Sequence, residues 1–568
     1  MTHDDWGITD GYFDVGGAWH PTTGDIRHRI REAMGVPAAG PPLWFVEAGT
    51  THSLWNPCRL ELEDGSSQGP MNDLPADLPI GYHRLIPEDG GIATILIVHP
   101  TSCPTLPRAW GAAVQIYALW SDRSWGIGDL GDLRILGQSL HNAGGRVMLI
   151  SPLHQPAPSL PQENSPYYPS SRRSWNPLLL SIDGEPADEL RCRPGDLIDR
   201  DAAWIAKRDA LESMFSAEID ADGDALTLPT IDGPIVWSAL CDRFGQDWHS
   251  WPDGLDRFDE AAIVALVDSD RSFARRLTFH AWCQAKVGEQ LGEIAATGIS
   301  LIGDLAVGFS PVGADAWQYQ NLLALDMRLG APPDPFNAEG QEWGIPPFIP
   351  WRLRADAYIP FVETIRAALS GVHGLRMDHV MGLFRQFWIP AGSPPSEGAY
   401  VTFPADELIA IICLEATRAG AFVVGEDLGT VAEGVRGTLS AANIAGTKVL
   451  WFESDPPAEW PANSLATLTT HDLPTVAGVL SGNDGDSNQH DRLVAAVSDV
   501  IVDVHDRDVR EVIAAAHRCL LSSPATLRLV SMDDITASEQ RPNHPGTTDR
   551  PNWRRRLPIS VDNILSPT

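Results

Sequence analysis

The sequence predicts an α/β fold: a (β/α)8 barrel of the TIM type, with a mainly helical insertion after the second strand and a small β-rich N-terminal module. Three observations lead to this prediction. Beyond residue 108, eight apolar segments of strand length alternate with helical stretches. Several segments are apolar on both faces, as buried parallel strands are. Residues 152–298, after the second segment, are too long for one crossover and mostly helical in pattern.

Residues 1–108 differ in pattern from the rest of the chain. A helix is expected near residues 25–34, with Thr22, Thr23 and Gly24 as capping candidates. Short apolar stretches broken by Gly, Pro and Asp then predict strands at residues 43–47, 59–62, 82–86 and 92–98. Residues 100–107 are dotted with proline and indicate a linker. We therefore predict a β-rich module at residues 1–108 and the barrel at residues 109–568.

The barrel strands are predicted one by one from their apolar runs. They are expected at residues 113–119, 145–151, 299–305, 374–380, 421–427, 447–452, 465–470 and 526–530. Helices are expected at residues 131–142, 404–419 and 491–521, and at residues 201–215 and 259–295 of the insertion.

Composition excludes several classes of partner. The formal net charge of −34 argues against nucleic acid and against anionic membranes, since both attract basic surfaces. The seven cysteines are widely spaced without a C-x-x-C pair, so neither a zinc nor a redox site is indicated. Scattered single cysteines are typical of a reducing compartment. The first residues form no apolar run, and no run reaches membrane-spanning length. We expect a cytoplasmic protein without nucleic-acid or membrane partners; its oligomeric state is left open.

Charged and polar residues follow four of the predicted strands. The third strand ends at Asp304 and the fourth at Asp378 and His379, while the fifth ends at Glu426 and Asp427. The seventh ends at His471 and Asp472. In a barrel of this type the chemistry lies at the carboxyl ends of the strands. Like charges gathered at one mouth cost stability unless they are compensated, so this pattern favours a catalytic site.

The segment Gly374-Leu375-Arg376-Met377-Asp378-His379-Val380 is the most informative of these strands. Arg376 and Asp378 are two residues apart, so on a strand they point to the same face. A guanidinium beside a carboxylate lowers the pKa of the carboxylate and favours its ionised form. Asp378 can therefore be a nucleophile or an electrostatic stabiliser, or the pair can be a structural ion pair.

Two chemistries fit the strand-end residues. Glycosidic chemistry uses one carboxylic acid to protonate the leaving oxygen and one carboxylate to attack the anomeric carbon. Asp378 suits the attacker, and Glu426, after an apolar run whose burial is expected to raise its pKa, suits the acid and base. Asp472 is placed to stabilise positive charge on the sugar ring. Metal-assisted hydrolysis stays open through Asp304, Asp378, His379 and His471, although no compact metal pattern is evident and we predict no metal and no cofactor.

Ordered sequence blocks resemble those of the 4-α-glucanotransferases, also called amylomaltases or disproportionating enzymes, which are relatives of the α-amylases. The resemblance covers about residue 110 to the C-terminus and rests on many blocks in the family's order. They are Gln115-Ile116-Tyr117, Ser124-Trp125-Gly126-Ile127-Gly128-Asp129-Leu130-Gly131-Asp132-Leu133, Ser165-Pro166-Tyr167, Asn176-Pro177-Leu178, Gly303-Asp304-Leu305, Gly330-Ala331-Pro332-Pro333-Asp334, Gly340-Gln341-Glu342-Trp343-Gly344, Arg376-Met377-Asp378-His379, Gly425-Glu426-Asp427-Leu428-Gly429, Thr470-His471-Asp472-Leu473-Pro474-Thr475 and Pro551-Asn552-Trp553-Arg554-Arg555-Arg556-Leu557.

The resemblance implies a retaining double displacement on α-1,4-glucans and maltooligosaccharides, with glucose as acceptor or product. By motif match, Asp378 resembles the nucleophile, Glu426 the acid/base and Asp472 the transition-state stabiliser. The same match implies substrate-binding roles for Ser165, Tyr167, Asp304, Asp334, Trp343, Arg376, His379 and His471. Two alternatives use the same residues: an α-1,4-glucan hydrolase and an inactive glucan-binding protein. Leu305-Ala306-Val307-Gly308-Phe309 and Tyr168 depart from the common family pattern.

The sequence also suggests roles for three further parts of the chain. Residues 330–350, with Phe336, Trp343 and Phe348, are expected to form a long ordered loop that holds an acceptor sugar and excludes water. The run Arg554-Arg555-Arg556 is either a basic patch for an anion or, as we expect, a source of ion pairs that fasten the tail to the barrel. Trp44 and Trp55 are candidates for sugar binding by the N-terminal module.

Overall fold

The computed structural model describes residues 2–14, 17–221, 231–333, 339–429, 431–501, 503–504 and 506–564. The chain divides into two compact units. The first comprises Met1–Thr105, Tyr319–Ser370 and His379–Ile444, and the second Leu106–Gln318, Gly371–Asp378 and Ala445–Thr568. In the described part of the chain, no helix is both long and apolar enough to cross a membrane.

The eight predicted barrel strands are present and form one sheet. In chain order they are Ala109–Val114, Val147–Ile150, Ser300–Leu305, Gly374–Met377, Phe422–Gly425, Gly446–Val449, Ser464–Thr467 and Leu527–Ser531. Their order in the sheet is five-four-three-two-one-eight-seven-six. Within the second unit, which holds every strand but the fifth, all the pairings are parallel. The (β/α)8 prediction is confirmed.

The first barrel strand lies earlier than predicted. Residues 113–119 were expected to be extended, but the strand ends at Val114 and Ile116–Ala118 form a 3-10 turn. Ile116 donates its N–H to the side chain of Ser151 instead of continuing the ladder. The turn residues are as buried as the strand, at 0–4% exposure, so the apolar pattern runs past the strand end.

The helices of the second unit include the predicted helical insertion. They are Leu130–Asn142, Arg200–Ala221, Gly233–Phe244, Glu260–Ser269, Arg271–Ala295, Ala314–Tyr319, Val476–Ser481, Ser487–Val497, Val509–Leu521 and Met532–Ile535. The helical stretch predicted at residues 259–295 divides at Asp270, whose carboxylate caps the second helix through the N–H groups of Ser272 and Phe273. The stretch predicted at 491–521 likewise divides, because Asp508 caps a new helix.

The first unit contains three small sheets. A five-stranded sheet has the order Leu43–Glu47, Thr94–His99, Gly81–Pro87, His52–Glu61 and Ser67–Leu74. The last of these was not predicted, because seven of its eight residues are exposed or half-exposed and give no apolar pattern. Gly11–Phe13 pairs with Trp19–Pro21, and a four-stranded sheet has the order Gln341–Glu342, Met327–Ala331, Arg385–Pro390 and Ala399–Thr402. The unit's helices are Gly24–Met34, Pro350–Ala355, Ile359–Leu369, Ala405–Ala419 and Val435–Ala441.

Two local expectations need correction. The loop expected at residues 330–350 is in part a hairpin, because Gly330 pairs with Glu342 and Trp343 donates its N–H to the Leu329 carbonyl. The ion pairs expected of Arg554–Arg556 are also wrong: none occurs in the described part of the chain. Arg554 and Arg556 instead donate to the carbonyls of Ile198 and Gly126, so hydrogen bonds to backbone hold this segment.

Candidate active site

One guanidinium joins two carboxylates at the carboxyl ends of barrel strands three and four. Asp304 and Arg376 are in register on these neighbouring strands. Arg376 Nη1 lies 2.7 Å from Asp304 Oδ1, and Nη2 lies 3.0 Å from Asp378 Oδ1. Arg376 and Asp304 are 7% and 6% exposed. The contact to Asp378 confirms that Arg376 and Asp378 point to the same face, and the single Arg376 charge is shared between two carboxylates.

Tyr167 connects this pair to the seventh strand end. Its hydroxyl lies 2.6 Å from Asp304 Oδ2 and 3.2 Å from His471 Nδ1, and its ring stacks on the imidazole at 4.6 Å. Burial raises the pKa of Tyr167 well above its usual value, and Asp304 adds to the shift. Burial also raises the pKa of Asp304; Asp378 adds to this shift and Arg376 opposes it. The Tyr167 hydroxyl therefore stays neutral and donates to Asp304 Oδ2, while His471 Nδ1 lies within hydrogen-bond distance of the same hydroxyl oxygen.

Asp472 is held by groups from two further segments. Its Oδ2 lies 3.4 Å from His471 Nε2, and Asn543 Nδ2 donates to its Oδ1 at 2.6 Å. Loss of surrounding water acts to raise the pKa of Asp472, but His471 and Asn543 outweigh it and the pKa is lowered. Loss of water acts to lower the pKa of His471, but the Asp472 carboxylate outweighs it and the pKa is raised. Each residue therefore favours the charged form of the other.

Sequence reasoning missed Asn543 and Arg541. Arg541 Nη1 donates to the backbone carbonyl of Asp472 at 2.8 Å, so Arg541 holds the main chain of Asp472 and Asn543 holds its carboxylate. They lie in an irregular segment with no strand or helix pattern to flag them. Only the folded chain brings them to the seventh strand end.

In the first unit, Glu426 accepts hydrogen bonds from two backbone N–H groups. His379 N lies 3.0 Å from Oε2, and Leu428 N lies 2.8 Å from Oε1. His379 has the left-handed φ of 47°, which is uncommon outside glycine and directs its N–H away from the strand direction. The indole of Trp343 meets the His379 ring edge-on at 5.3 Å. The carboxylate of Glu426 is therefore oriented by main chain.

Ser165, Asp334 and Phe336 are the remaining predicted residues. Ser165 orients Tyr167, because its Oγ accepts the Tyr167 N–H at 3.2 Å. Asp334 and Phe336 lie outside the described residues. The structure thus gathers Tyr167, Asp304, Arg376, Asp378, His471 and Asp472 in the second unit, and Trp343, His379 and Glu426 in the first. The catalytic and substrate-binding roles stay predictions.

A cavity in the second unit opens beside this cluster. Its walls combine apolar strand residues with Asp304, Arg376, Thr467, Thr470 and His471. Among the described residues, no group of three or more His, Cys, Asp or Glu side chains is arranged to hold a metal ion.

A barrel of eight parallel strands, with carboxylates, arginine, histidine and tyrosine at their carboxyl ends, defines a (β/α)8-barrel enzyme. A family model described as 4-alpha-glucanotransferase matches residues 114–560. A 4-alpha-glucanotransferase of Mycobacterium tuberculosis is 39% identical over 568 residues, with 85% of this chain and 76% of that protein covered. One from Haemophilus influenzae is 33% identical over 458 residues, covering 70% and 65%. The chain belongs to the 4-alpha-glucanotransferase family.

Solved structures agree on the fold. The amylomaltase of Corynebacterium glutamicum superposes with a TM-score of 0.80 at 27% identity, covering 98% of this chain and 96% of that chain. An amylomaltase of Streptococcus agalactiae, solved in complex with acarbose, gives a TM-score of 0.65 at 18% identity, covering 81% and 98%.

Proposed function

We propose that this 4-α-glucanotransferase transfers a segment of an α-1,4-glucan to the 4-hydroxyl of glucose or a maltooligosaccharide, by a retaining double displacement through a glycosyl-Asp378 intermediate. Family membership supports the activity. The observation that carries the mechanism is the contact of Arg376 Nη2 with Asp378 Oδ1 at 3.0 Å. This contact orients a carboxylate whose side chain is still 23% exposed at a barrel strand end, where a sugar can reach it.

In the first displacement, Glu426 gives its proton to the glycosidic oxygen while Asp378 attacks the anomeric carbon. The bond from that carbon to the leaving oxygen breaks, and a covalent bond to Asp378 forms. The two N–H donors to Glu426 hold its carboxyl group in a fixed orientation. Asp472, fixed by Asn543 and His471, stabilises the positive charge that develops on the ring.

In the second displacement, Glu426 takes the proton of an acceptor 4-hydroxyl. The acceptor oxygen then attacks the anomeric carbon, and Asp378 leaves as a carboxylate. Two inversions give net retention. Tyr167, Asp304, Arg376, His379 and His471 are proposed to bind the sugar at the cleaved bond; Ser165, Asp334 and Trp343 are proposed to bind neighbouring sugars.

The substrates proposed are α-1,4-glucans and maltooligosaccharides, with glucose as acceptor or product. Support comes from the family and from the relative that was solved with acarbose. We also propose a cytoplasmic location. The cysteines of the described chain are free thiols, which favours a reducing compartment.

Incubation of the purified protein with maltotriose tests the activity. We expect glucose together with maltooligosaccharides longer than maltotriose, at a constant number of reducing ends. Each transfer breaks one glycosidic bond and makes another, so the count of reducing ends does not change. A rising number of reducing ends without longer products would favour the hydrolase, and no product at all would favour a binding protein.

A further inference from the structure

Arg200 is a buried cation whose side-chain hydrogen bond goes to an amide oxygen. It opens the helix Arg200–Ala221 and is 7% exposed. Its Nη1 donates to the side-chain oxygen of Asn164 at 3.2 Å, and its guanidinium lies 4.9 Å from the centre of the Tyr117 ring. In the described part of the chain it forms no ion pair. A buried charge of this kind is costly unless another group balances it.

Two more arginines lie beside Arg200. Residues Leu197 and Arg555 form a β-bridge, which brings the C-terminal segment alongside the start of the helix. Arg554 donates to the Ile198 carbonyl, and Arg556 donates to the Gly126 carbonyl. Neither forms an ion pair among the described residues, and Nε and Nη1 of Arg556 are buried without a hydrogen-bond partner. The region therefore holds three arginines whose hydrogen bonds go to carbonyl oxygens, while the Glu163 carboxylate acts on Arg200 without forming a close ion pair among the described residues.

A small cavity faces this cluster. Its polar lining includes Tyr117, Glu163, Asn164, Ser165, Asn176 and Arg200. Tyr117 is 4% exposed and its hydroxyl has no hydrogen-bond partner within the part of the chain that the structure describes, which is unusual for a buried polar group. The side-chain oxygen of Asn176 accepts the Leu178 N–H, so its amide nitrogen remains as a donor. The cavity thus presents a guanidinium, a phenol and an amide, all of which can donate to an anion.

The electrostatic balance at the cavity favours an anion. Burial lowers the pKa of Arg200 to about 10; Arg554 and Arg556 add to the shift, while Tyr117 and Glu163 oppose it. The positive end of a 22-residue helix adds to the attraction. The nearby carboxylates accept hydrogen bonds from backbone N–H groups. Glu163 accepts from Ser165, Asp199 accepts from Ala202, and Asp201 accepts from Gln162. The Glu163 carboxylate is the one acidic group in the lining, and one of its oxygens accepts the Ser165 N–H.

We propose that this cavity binds a small inorganic oxyanion of the phosphate class, held by Arg200 and the Tyr117 hydroxyl. A tetrahedral oxyanion accepts from several donors at once, and guanidinium groups suit it through their planar, paired N–H groups. The cavity lies against the segment Glu163-Asn164-Ser165-Pro166. Its wall includes Ser165, which orients Tyr167, so the anion site adjoins the segment that enters the active site.

Isothermal titration calorimetry of the full chain with inorganic phosphate tests the proposal. We expect saturable binding of one phosphate per chain. Arg200→Gln should weaken it about tenfold or more, because charge-assisted hydrogen bonds to the anion are lost. Tyr117→Phe should weaken it severalfold by removing one donor. Arg208→Gln is the control, since Arg208 lies on the same helix, is 32% exposed and faces Glu212.

Sodium chloride at matched ionic strength serves as the reference titration. The protein has a net charge of −34, so any salt screens its self-repulsion, and only the difference between phosphate and chloride reports the site. No phosphate binding by the natural protein, or equal binding by the Arg200→Gln variant, would overturn the proposal. If circular dichroism shows that Arg200→Gln does not fold, Tyr117→Phe decides, and unchanged affinity in that variant counts against the site.

Discussion

Asn543 sets the charge of Asp472, and its loss should therefore change the pH dependence of catalysis. The Asn543 amide lowers the pKa of Asp472 by donating to its ionised form. In Asn543→Ala that pKa rises, so the acid limb of the kcat profile should move to higher pH. We expect kcat to fall by about 10- to 100-fold, as loss of a hydrogen bond to a charged group predicts. Steady-state rates with maltotriose across pH check both effects.

Asn483→Ala is a matched control for this substitution. Asn483 is an exposed asparagine of the same unit that donates to the exposed carboxylate of Glu539. It should leave the pH profile unchanged. If Asn543→Ala lowers kcat without moving the acid limb, Asn543 acts on the fold and does not tune Asp472.

The His471–Asp472 pair should make stability depend on pH. The pKa of His471 is raised above its usual 6.5, so its protonated form is favoured in the folded state. Its contribution is fully present below about pH 6.5 and is lost as pH rises through the folded pKa. The unfolding midpoint of the natural protein minus that of His471→Gln should therefore shrink as pH rises above neutrality. Calorimetric scans at several pH values test this, and a pH-independent difference would argue against the charged pair.

For single residues, the sequence predicts a contact where the spacing of two residues along one strand is enough to place their side chains together. Arg376 and Asp378 were placed together by the two-residue period of a strand, and the structure has that contact. The sequence did not indicate Asn543 as a site residue. It lies 71 residues after Asp472 in the chain, in a segment without regular secondary structure. No local pattern reports such a contact.

At the scale of helices and strands, barrel strands one and two lie close together at Gly111. A Cβ on Gly111 would lie 1.8 Å from the Val147 carbonyl oxygen, whereas one on Gly292, in the helix Arg271–Ala295, would meet nothing within 4 Å. Gly111→Ala should lower stability by about 1–3 kcal/mol or more through overpacking. Gly292→Ala should raise it by about 1 kcal/mol through helix propensity. Thermal unfolding of both variants checks the prediction, and equal midpoints would contradict the close approach.

The existence of the helices and strands was easier to predict than the residues at which they begin and end. Residues 116–118 are as buried as the strand before them, so hydrophobicity does not indicate where the strand ends. The strand ends where the Ile116 N–H donates to the Ser151 side chain. The two long helical stretches divide at Asp270 and Asp508, where a capping carboxylate starts a new helix within a continuing apolar pattern. The exposed strand Ser67–Leu74 lacked any apolar signal.

At the scale of the whole molecule, ion pairs within the first unit connect its N-terminal residues to helices that come later in the chain. Glu63 accepts from Arg366 and Arg418, which also contact the buried Glu415. Glu63→Gln should lower the stability of this unit by about 1 kcal/mol, since the group is partly exposed and solvent screens it. Glu61→Gln is the control, because its partners Arg59 and Arg84 lie within the N-terminal residues themselves. Equal unfolding midpoints for the two variants would contradict a bracing role for Glu63.

Covalent trapping tests the central assignment, Asp378 as the nucleophile, most directly. The Glu426→Gln variant is incubated with α-maltotriosyl fluoride, whose leaving group needs no protonation by Glu426. The first displacement then proceeds, while the second lacks its base and the intermediate accumulates. Mass spectrometry of the digested protein should find one maltotriosyl group on the peptide that contains Asp378, and none in Glu426→Gln/Asp378→Asn. An adduct on another residue, or a β-configured free product without any adduct, would contradict the account.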